Sequence, residues 1–352
     1  MAGIYVHIPF CKKRCLYCDF FSTTLLERRK AYVDALLREI AARKEEAGAI
    51  RTIYLGGGTP STLDAEDIQR ILRAIGTEQA TEITMELNPG DATETYLKQI
   101  RAAGINRLSI GIQSFQDELL TLIGRRHTAA QALTAVSMAQ QAGFDNMSID
   151  LMYALPTQTM EQWKADIETA LRLNVQHISS YGLMYEEGTA LTRQMESGQL
   201  QAIDEDTENA MYDYLCERLQ EAGFVHYEVS NFALPGYEAQ HNSNYWNGTP
   251  YVGVGAGAHN YIGVERSWNP DDLETYIRGD FQRASETLTE RDCYNERIML
   301  GLRTAKGVAK QDIRADISKY VGAGLLHENE GRIVATKKGI HILNRIIEDL
   351  MI

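Results

Sequence analysis

IYVHIPFCKKRCLYCDF, residues 4–20, sets a short apolar strand directly before three cysteines that fall within eight residues. Cys11, Cys15 and Cys18 have no fourth cysteine close by, and Phe20 stands where a further ligand would be expected. Zinc takes four protein ligands in structural sites, or three with an open position for chemistry. His7 or Asp19 would have to complete such a site, because no second Cys-x-x-Cys pair occurs downstream. A redox Cys-x-x-Cys would use only Cys15 and Cys18 and leave Cys11 unexplained. An iron–sulfur cluster is held by thiolates at short spacings, and three thiolates on a [4Fe–4S] cube leave one iron open. From these residues alone, zinc and iron–sulfur both stand.

Outward from this stretch, short apolar strands alternate with amphipathic helices. Strands are expected at 4–8, 52–56, 82–87, 107–112, 147–153 and 177–183, and helices near 25–47, 64–75, 92–103, 128–142 and 160–172. That alternation predicts an α/β fold with parallel strands and crossover helices. Six such units suit a partial barrel as well as a doubly wound sheet. Polar and glycine residues gather at the strand C-termini: GGGTP (56–60), ELNPGD (86–91) and GIQSF (111–115). In α/β barrels that rim is where ligands bind. After about residue 200 the pattern changes. FVHYEVSNFA (224–233) reads as a further strand, and 241–261 is polar, aromatic and glycine-rich with little helical period. From about 289 come helical stretches, a hairpin at 325–336 and a final helix, the order of a small winged-helix-like module. The expected division is 1–200, 201–288 and 289–352.

Composition narrows the function classes. The chain has 352 residues, 44% hydrophobic and 24% charged, in the ordinary globular range. A formal net charge of −13 repels nucleic acid and anionic membranes. No apolar run is long enough to span a bilayer, and the first residues lack a signal-peptide core. Only five cysteines occur, with Cys216 and Cys293 far apart, unlike a secreted disulfide framework. A reducing cytoplasm is expected.

The rim residues suit a polar ligand. Gly56, Gly57 and Gly58 let backbone groups approach closely, and Thr59 and Pro60 fix the turn that follows. Glu86 and Gln113 end strands and offer hydrogen bonds. Asp150 lies inside MSIDLMY, where a charge needs a partner, and Arg125 is a candidate for a carboxylate.

Cys-x-x-x-Cys-x-x-Cys resembles the signature of the radical S-adenosylmethionine (SAM) superfamily. There the open iron is chelated by the amino and carboxylate groups of SAM, whose cleavage gives a 5′-deoxyadenosyl radical. YVHIPFCKKRCLYCDF, GGGTPS, ELNP, GIQSF, GRRH and IDLMYALP follow one another along nearly the whole chain, as in the oxygen-independent coproporphyrinogen III oxidase family. The resemblance implies a partial (β/α)6 radical SAM barrel with a C-terminal extension. It implies cluster ligands Cys11, Cys15 and Cys18, and SAM contacts from Tyr5, Tyr17, Gly57, Gly58, Thr59, Glu86, Gln113, Arg125 and Asp150, with Met184 near a further backbone contact.

Two departures point away from the oxidases themselves. Their further cysteine, two residues after the third, is Phe20 here, and their long extension before the tyrosine is missing ahead of Tyr5. Both features resemble the haem chaperone subgroup, as does its hallmark H-N-x-x-Y-W, here His241-Asn242-Ser243-Asn244-Tyr245-Trp246. Histidine is a common axial ligand of haem iron, and aromatic rings offer a flat apolar wall. His241 is the expected haem ligand, with His226 and His259 as weaker candidates nearby. The implied function is haem binding and transfer to an acceptor protein, in a monomer or a cluster-dependent homodimer. The alternatives are radical decarboxylation of coproporphyrinogen III to protoporphyrinogen IX, and a zinc-stapled nucleic-acid-binding protein, which the net acidity opposes.

Overall fold

The computed structural model describes residues 2–352. Six parallel strands carry the first half: β1 (Ala2–Ile8), β2 (Ile50–Gly57), β3 (Glu82–Leu87), β4 (Arg107–Gln113), β5 (Met147–Tyr153) and β6 (His177–Gly182). They lie side by side in chain order, which is the partial-barrel arrangement and not the reversed order of a doubly wound sheet. Beyond β6 the segment expected as one strand folds as two short antiparallel ones, β7 (Val225–Glu228) and β8 (Asn231–Ala233). On the other edge, β9 (Tyr251–Val254) runs parallel to β1. It is followed outward by antiparallel β10 (His259–Ile262), β11 (Glu265–Trp268) and β12 (Ala284–Thr287). The result is a twelve-stranded sheet whose seven central strands, β9 and β1 to β6, are parallel.

Period-two alternation gives the central strands two unlike faces. Ile4, Val6, Ile8, Ile53, Leu55, Ile83, Met85, Leu108, Ile110, Ile149 and Leu151 turn to the helix layer and are buried in one continuous core. Fully burying each such side chain contributes roughly 1.5–3 kcal/mol. Helix starts are written locally. Thr128 and Thr159 form capping boxes with Gln131 and Gln162, opening the helices Ala129–Gln141 and Met160–Arg172.

The structure corrects the expectation for 241–261, because Gln240–Asn247 is a helix. Its start carries no side-chain cap of its own. The Glu82 carboxylate on β3 instead accepts the backbone N–H groups of Gln240 and His241, both at 2.8 Å. A carboxylate there offsets the positive helix terminus. The cap comes from another element, so local periodicity could not show it.

A buried carboxylate adds to the β1–β9 pairing in fastening the extension to the barrel. Glu39, on the helix Arg29–Arg43, accepts from Gly255 N (2.8 Å), Asn269 Nδ2 (2.8 Å) and Tyr276 Oη (2.7 Å). The C-terminal region adds a three-stranded antiparallel sheet, β13 (Val308–Ala309), β14 (Leu326–Asn329) and β15 (Arg332–Ala335), in the order β13-β15-β14. It has its own core, centred on Tyr294, Ile298, Leu326, Ile333, Ile346 and Leu350. It meets the rest of the chain through Ala305 N to Tyr227 O (3.0 Å), Val229 N to Arg303 O (2.9 Å), His341 Nε2 to Asp213 Oδ1 (3.0 Å), the ion pairs Lys337–Glu217 and Arg266–Glu296, and Ile340 packed on the main core.

Because the two cores are separate, Ile298→Ala should cost about 2–5 kcal/mol within the C-terminal region only. Hydrogen exchange should then rise across 290–350 while the β1–β6 amides keep their protection.

Candidate functional site

The face of the central strands away from the helices is polar, where a closed α/β barrel would be filled with branched apolar side chains. Tyr5, Tyr54, Thr84 and Arg107 stand in register across β1 to β4, with Glu86 beside Ser109 one step higher and Asp150 between Gly111 and Ser179. They bond to one another. Tyr54 Oη donates to Glu86 Oε1 (2.9 Å) and Ser109 Oγ to Asp150 Oδ1 (3.0 Å), while Ser148 shares a 2.7 Å bond with His177 Nδ1. Such a lining is a binding lumen and not a core.

Its upper rim is built from the loops that were expected there. Gly57 has φ +111°, and a Cβ on it would lie 2.6 Å from the His7 ring. A Cβ on Gly58 would meet the Pro9 carbonyl carbon at 2.7 Å. Both positions therefore exclude any side chain, and the triglycine lies flat against the start of the cysteine loop. That loop is closed by Cys11 N to Thr23 O (2.8 Å) and Thr23 N to Pro9 O (2.7 Å), and is fastened to the barrel by Leu16 N to Ile123 O (3.0 Å).

Cys11 is buried, and Cys15 and Cys18 are half-buried. The Cys11 sulfur lies 3.5 Å from Thr59 Oγ1, and Arg125 Nη1 donates to Cys15 Sγ at 3.3 Å. Burial, then the neighbouring thiols, pushes Cys18 up to about 11, and burial also raises Cys11. Thiols this close resist ionising together until a cation joins them. Among the described residues no three His, Cys, Asp or Glu side chains converge as ligands of a single ion. A cubane asks for a looser triangle, because each thiolate binds a different iron. Three half-sheltered thiols on one loop fit that demand. His7 is not available as a zinc ligand: its Nδ1 meets Tyr5 Oη (3.0 Å) and its Nε2 the Phe21 carbonyl (2.9 Å).

Around this loop stand the other residues expected at the site. Glu86 accepts from Tyr54 and, at 3.1 Å, from Gly57 N, and burial holds its carboxyl at about 8. Gln113 has φ +74° at a break in the β4–β5 register, a strained bulge that re-aims its side chain. Burial raises Asp150. Arg125 lies within electrostatic reach of Asp150 but forms no ion pair with it. The guanidinium instead donates to Cys15 and to the Gly111 carbonyl, while its Nε has no acceptor. Burial raises Tyr17, which lies within the influence of Arg125, Cys15 and Cys18. Arg107, 1% exposed with no acceptor for Nε, forms the lumen floor and was not singled out from sequence. A charged residue opening an apolar strand, RLSIGI, was the available signal.

His241 lies at the far end of the lumen. Its ring stacks on Tyr54 (5.3 Å between centroids), Nδ1 meets Thr52 Oγ1 and Nε2 meets Tyr245 Oη, both at 2.9 Å. Burial, and secondarily the Arg107 charge, lower it to about 3. It is a neutral imidazole with both nitrogens engaged. His226 stacks on Phe232 (4.3 Å) and His259 on Trp268 (5.9 Å). A cleft of about 830 Å³ lies away from the cysteine loop. It opens on the other side of the 240–247 helix and is lined by Ser243 to Gly248, by β9–β11 residues and by the C-terminal region.

Comparison with known proteins agrees with this construction. Residues 5–170 match the Radical SAM superfamily, and residues 288–342 match the HemN C-terminal domain. The fold and cysteine loop are those of a radical SAM protein. Haem chaperone HemW of Lactococcus lactis is 36% identical over 99% of this chain and 97% of its own length. The Bacillus subtilis HemW is 34% identical over 98% of both. The chain belongs to the HemW family. A solved radical SAM enzyme, coproporphyrinogen III oxidase (HemN) from Escherichia coli, superposes with a TM-score of 0.83 over 99% of this chain and 90% of its own. At 24% identity that likeness is one of fold. Among the described residues no helix is long and apolar enough to cross a membrane.

Glu86 gives the site a pH signature. Folded, the carboxyl keeps its proton up to about 8, whereas the unfolded chain releases it near 4.5. Its contribution to stability therefore falls as pH rises between those values. Glu86→Gln removes this fall, so the variant should gain up to about 3–4 kcal/mol on wild type between pH 5 and pH 8, read from urea midpoints.

Proposed function

We propose that this protein is a haem chaperone that holds a [4Fe–4S] cluster and SAM at one end of its barrel, carries haem near the other, and passes it to an acceptor protein. The observation that carries this is full-length similarity to HemW proteins in a chain whose HNSNYW motif forms a separate helix on the wall of a large cleft. Cys11, Cys15 and Cys18 hold the cluster. Tyr5, Tyr17, Gly57, Gly58, Thr59, Glu86, Gln113, Arg125 and Asp150 bind SAM between the cysteine loop and the lumen.

Each group's chemistry supports its assignment. The rim glycines carry no side chain, so a ligand can come close to the backbone there, while the Gly57 and Gly58 amides are held by Glu86 and the Ile8 carbonyl. Glu86 and Asp150, both held toward the protonated form, suit an amino group or ribose hydroxyl brought to them, since a charged or polar donor restores what burial removed. Arg125 brings a positive charge to the cluster side. Cluster and SAM, when bound, supply one-electron chemistry. The protein's part is to bind, orient and shelter them. His241, the expected haem ligand, must first release the Tyr245 hydroxyl from Nε2 to reach iron. The divisions at about 200 and 288 separate barrel, extension and C-terminal module, and the five unpaired cysteines suit a reducing cytoplasm.

The test is made on protein purified without oxygen and reconstituted with iron and sulfide. Haem titration should give saturable one-to-one binding, with no loss of added coproporphyrinogen III under reducing conditions with SAM. Cys18→Ser should lose most of the iron and sulfide and keep the fold. Turnover of coproporphyrinogen III without specific haem binding would return the protein to the oxidases.

A further inference from the structure

The cleft of about 830 Å³ lies within the ~300–1,000 Å³ range of small-molecule and cofactor sites. One wall is aromatic. Trp246 comes from the motif helix, and Tyr251 and Tyr261 face each other on β9 and β10 with ring centroids 6.3 Å apart. The opposite wall belongs to the helix Glu290–Gly301 and the loop that follows it. Cys293 opens onto the cleft from that helix and is half-buried. Among the described residues lining the cleft it is the one histidine, cysteine or methionine, and the four tyrosines there, which could also ligate haem iron, are held protonated by burial.

Two further features of the cleft ask for a ligand. Glu228 on β7 is 2% exposed and lines the cavity, yet neither carboxylate oxygen has a hydrogen-bond partner. Asn231 and the Ser230 amide lie near it without reaching bonding geometry. An orphaned buried carboxyl costs about 1–3 kcal/mol unless something supplies its missing partner. At the rim, Arg332 is spent only on the Lys306 and Gly307 carbonyl oxygens (both 2.7 Å), and the exposed Lys306 stands beside it. These cations suit carboxylates brought by a ligand.

We infer that this cleft is the haem seat, with the macrocycle against Trp246, Tyr251 and Tyr261, the Cys293 thiolate as iron ligand, and Lys306 and Arg332 receiving the propionates. The inference rests on the haem-carrying function proposed above and locates it. His241 becomes a positioning residue: it lies behind Tyr245 and fixes the motif helix to the lumen wall through Thr52 and Tyr54. The assignment separates the cargo from the cysteine loop, with the barrel lumen between them.

Reconstituted full-length protein and the variants Cys293→Ser, Trp246→Ala, Lys306→Glu and His241→Ala would be titrated with haem, after circular dichroism and melting show that each is folded. Ligation is read from the ferrous carbonyl spectrum, where a thiolate ligand moves the Soret band far to the red. Wild type should show that band and Cys293→Ser should not. Trp246→Ala and Lys306→Glu should each weaken binding about tenfold or more. His241→Ala should keep the thiolate band even if its affinity drops. If wild type binds one haem, the cleft variants match it and His241→Ala abolishes binding, the cleft assignment is overturned while the chaperone function stands. If wild type binds no haem specifically, both fall.

Discussion

The Glu86 carboxyl stands where three parts of the molecule meet. One oxygen takes the Tyr54 hydroxyl from inside the lumen, and the other takes the Gly57 amide at the rim. The end of β2 is thereby tied to β3, and the triglycine turn is pinned in the only path that clears His7 and Pro9. From Tyr54 the contacts continue downward: its ring stacks on His241, whose Nε2 meets Tyr245 at the edge of the cleft. The glycine rim and the HNSNYW helix are thus two ends of one run of packed rings and hydrogen bonds. The run depends on an inner sheet face that is polar and aromatic, not apolar.

A polar lumen is costly to bury and needs shielding from both sides. The helix layer supplies the apolar half of the energy through the outer faces of the strands. The extension supplies closure, with Glu39 gathering Gly255, Asn269 and Tyr276 onto the first helix. The C-terminal region keeps a separate core and meets the rest of the chain largely through hydrogen bonds and ion pairs. Polar interfaces of that kind permit relative movement.

Much of this was legible in the sequence. The strands read correctly because their helix-facing positions are almost all Ile, Leu, Val or Met. Period two therefore shows plainly, as does the gathering of glycine and polar residues at strand ends. Cys11, Cys15 and Cys18 announced themselves by spacing. The helix Gln240–Asn247 did not, because its cap is Glu82, some 160 residues earlier in the chain. Arg125 was legible as a cation for a carboxylate, but its contacts to the Cys15 thiol and the Gly111 carbonyl were not, because they come from segments brought together only by the fold. Arg107, Glu228 and Cys293 were silent for a common reason: each draws its meaning from what surrounds it. A buried charge without a partner, or a thiol facing a cleft, is a property of packing.

Three thiolates and a glycine-lined rim would leave one iron of a [4Fe–4S] cluster open to SAM. The most direct test is electron paramagnetic resonance on the anaerobically reconstituted, reduced protein, recorded with and without SAM. Coordination predicts that SAM shifts the g-values of the reduced cluster signal, and that Glu86→Ala or Asp150→Ala weakens the SAM dependence of that shift. A cluster signal indifferent to saturating SAM, or reconstituted protein containing zinc and no sulfide, would contradict it.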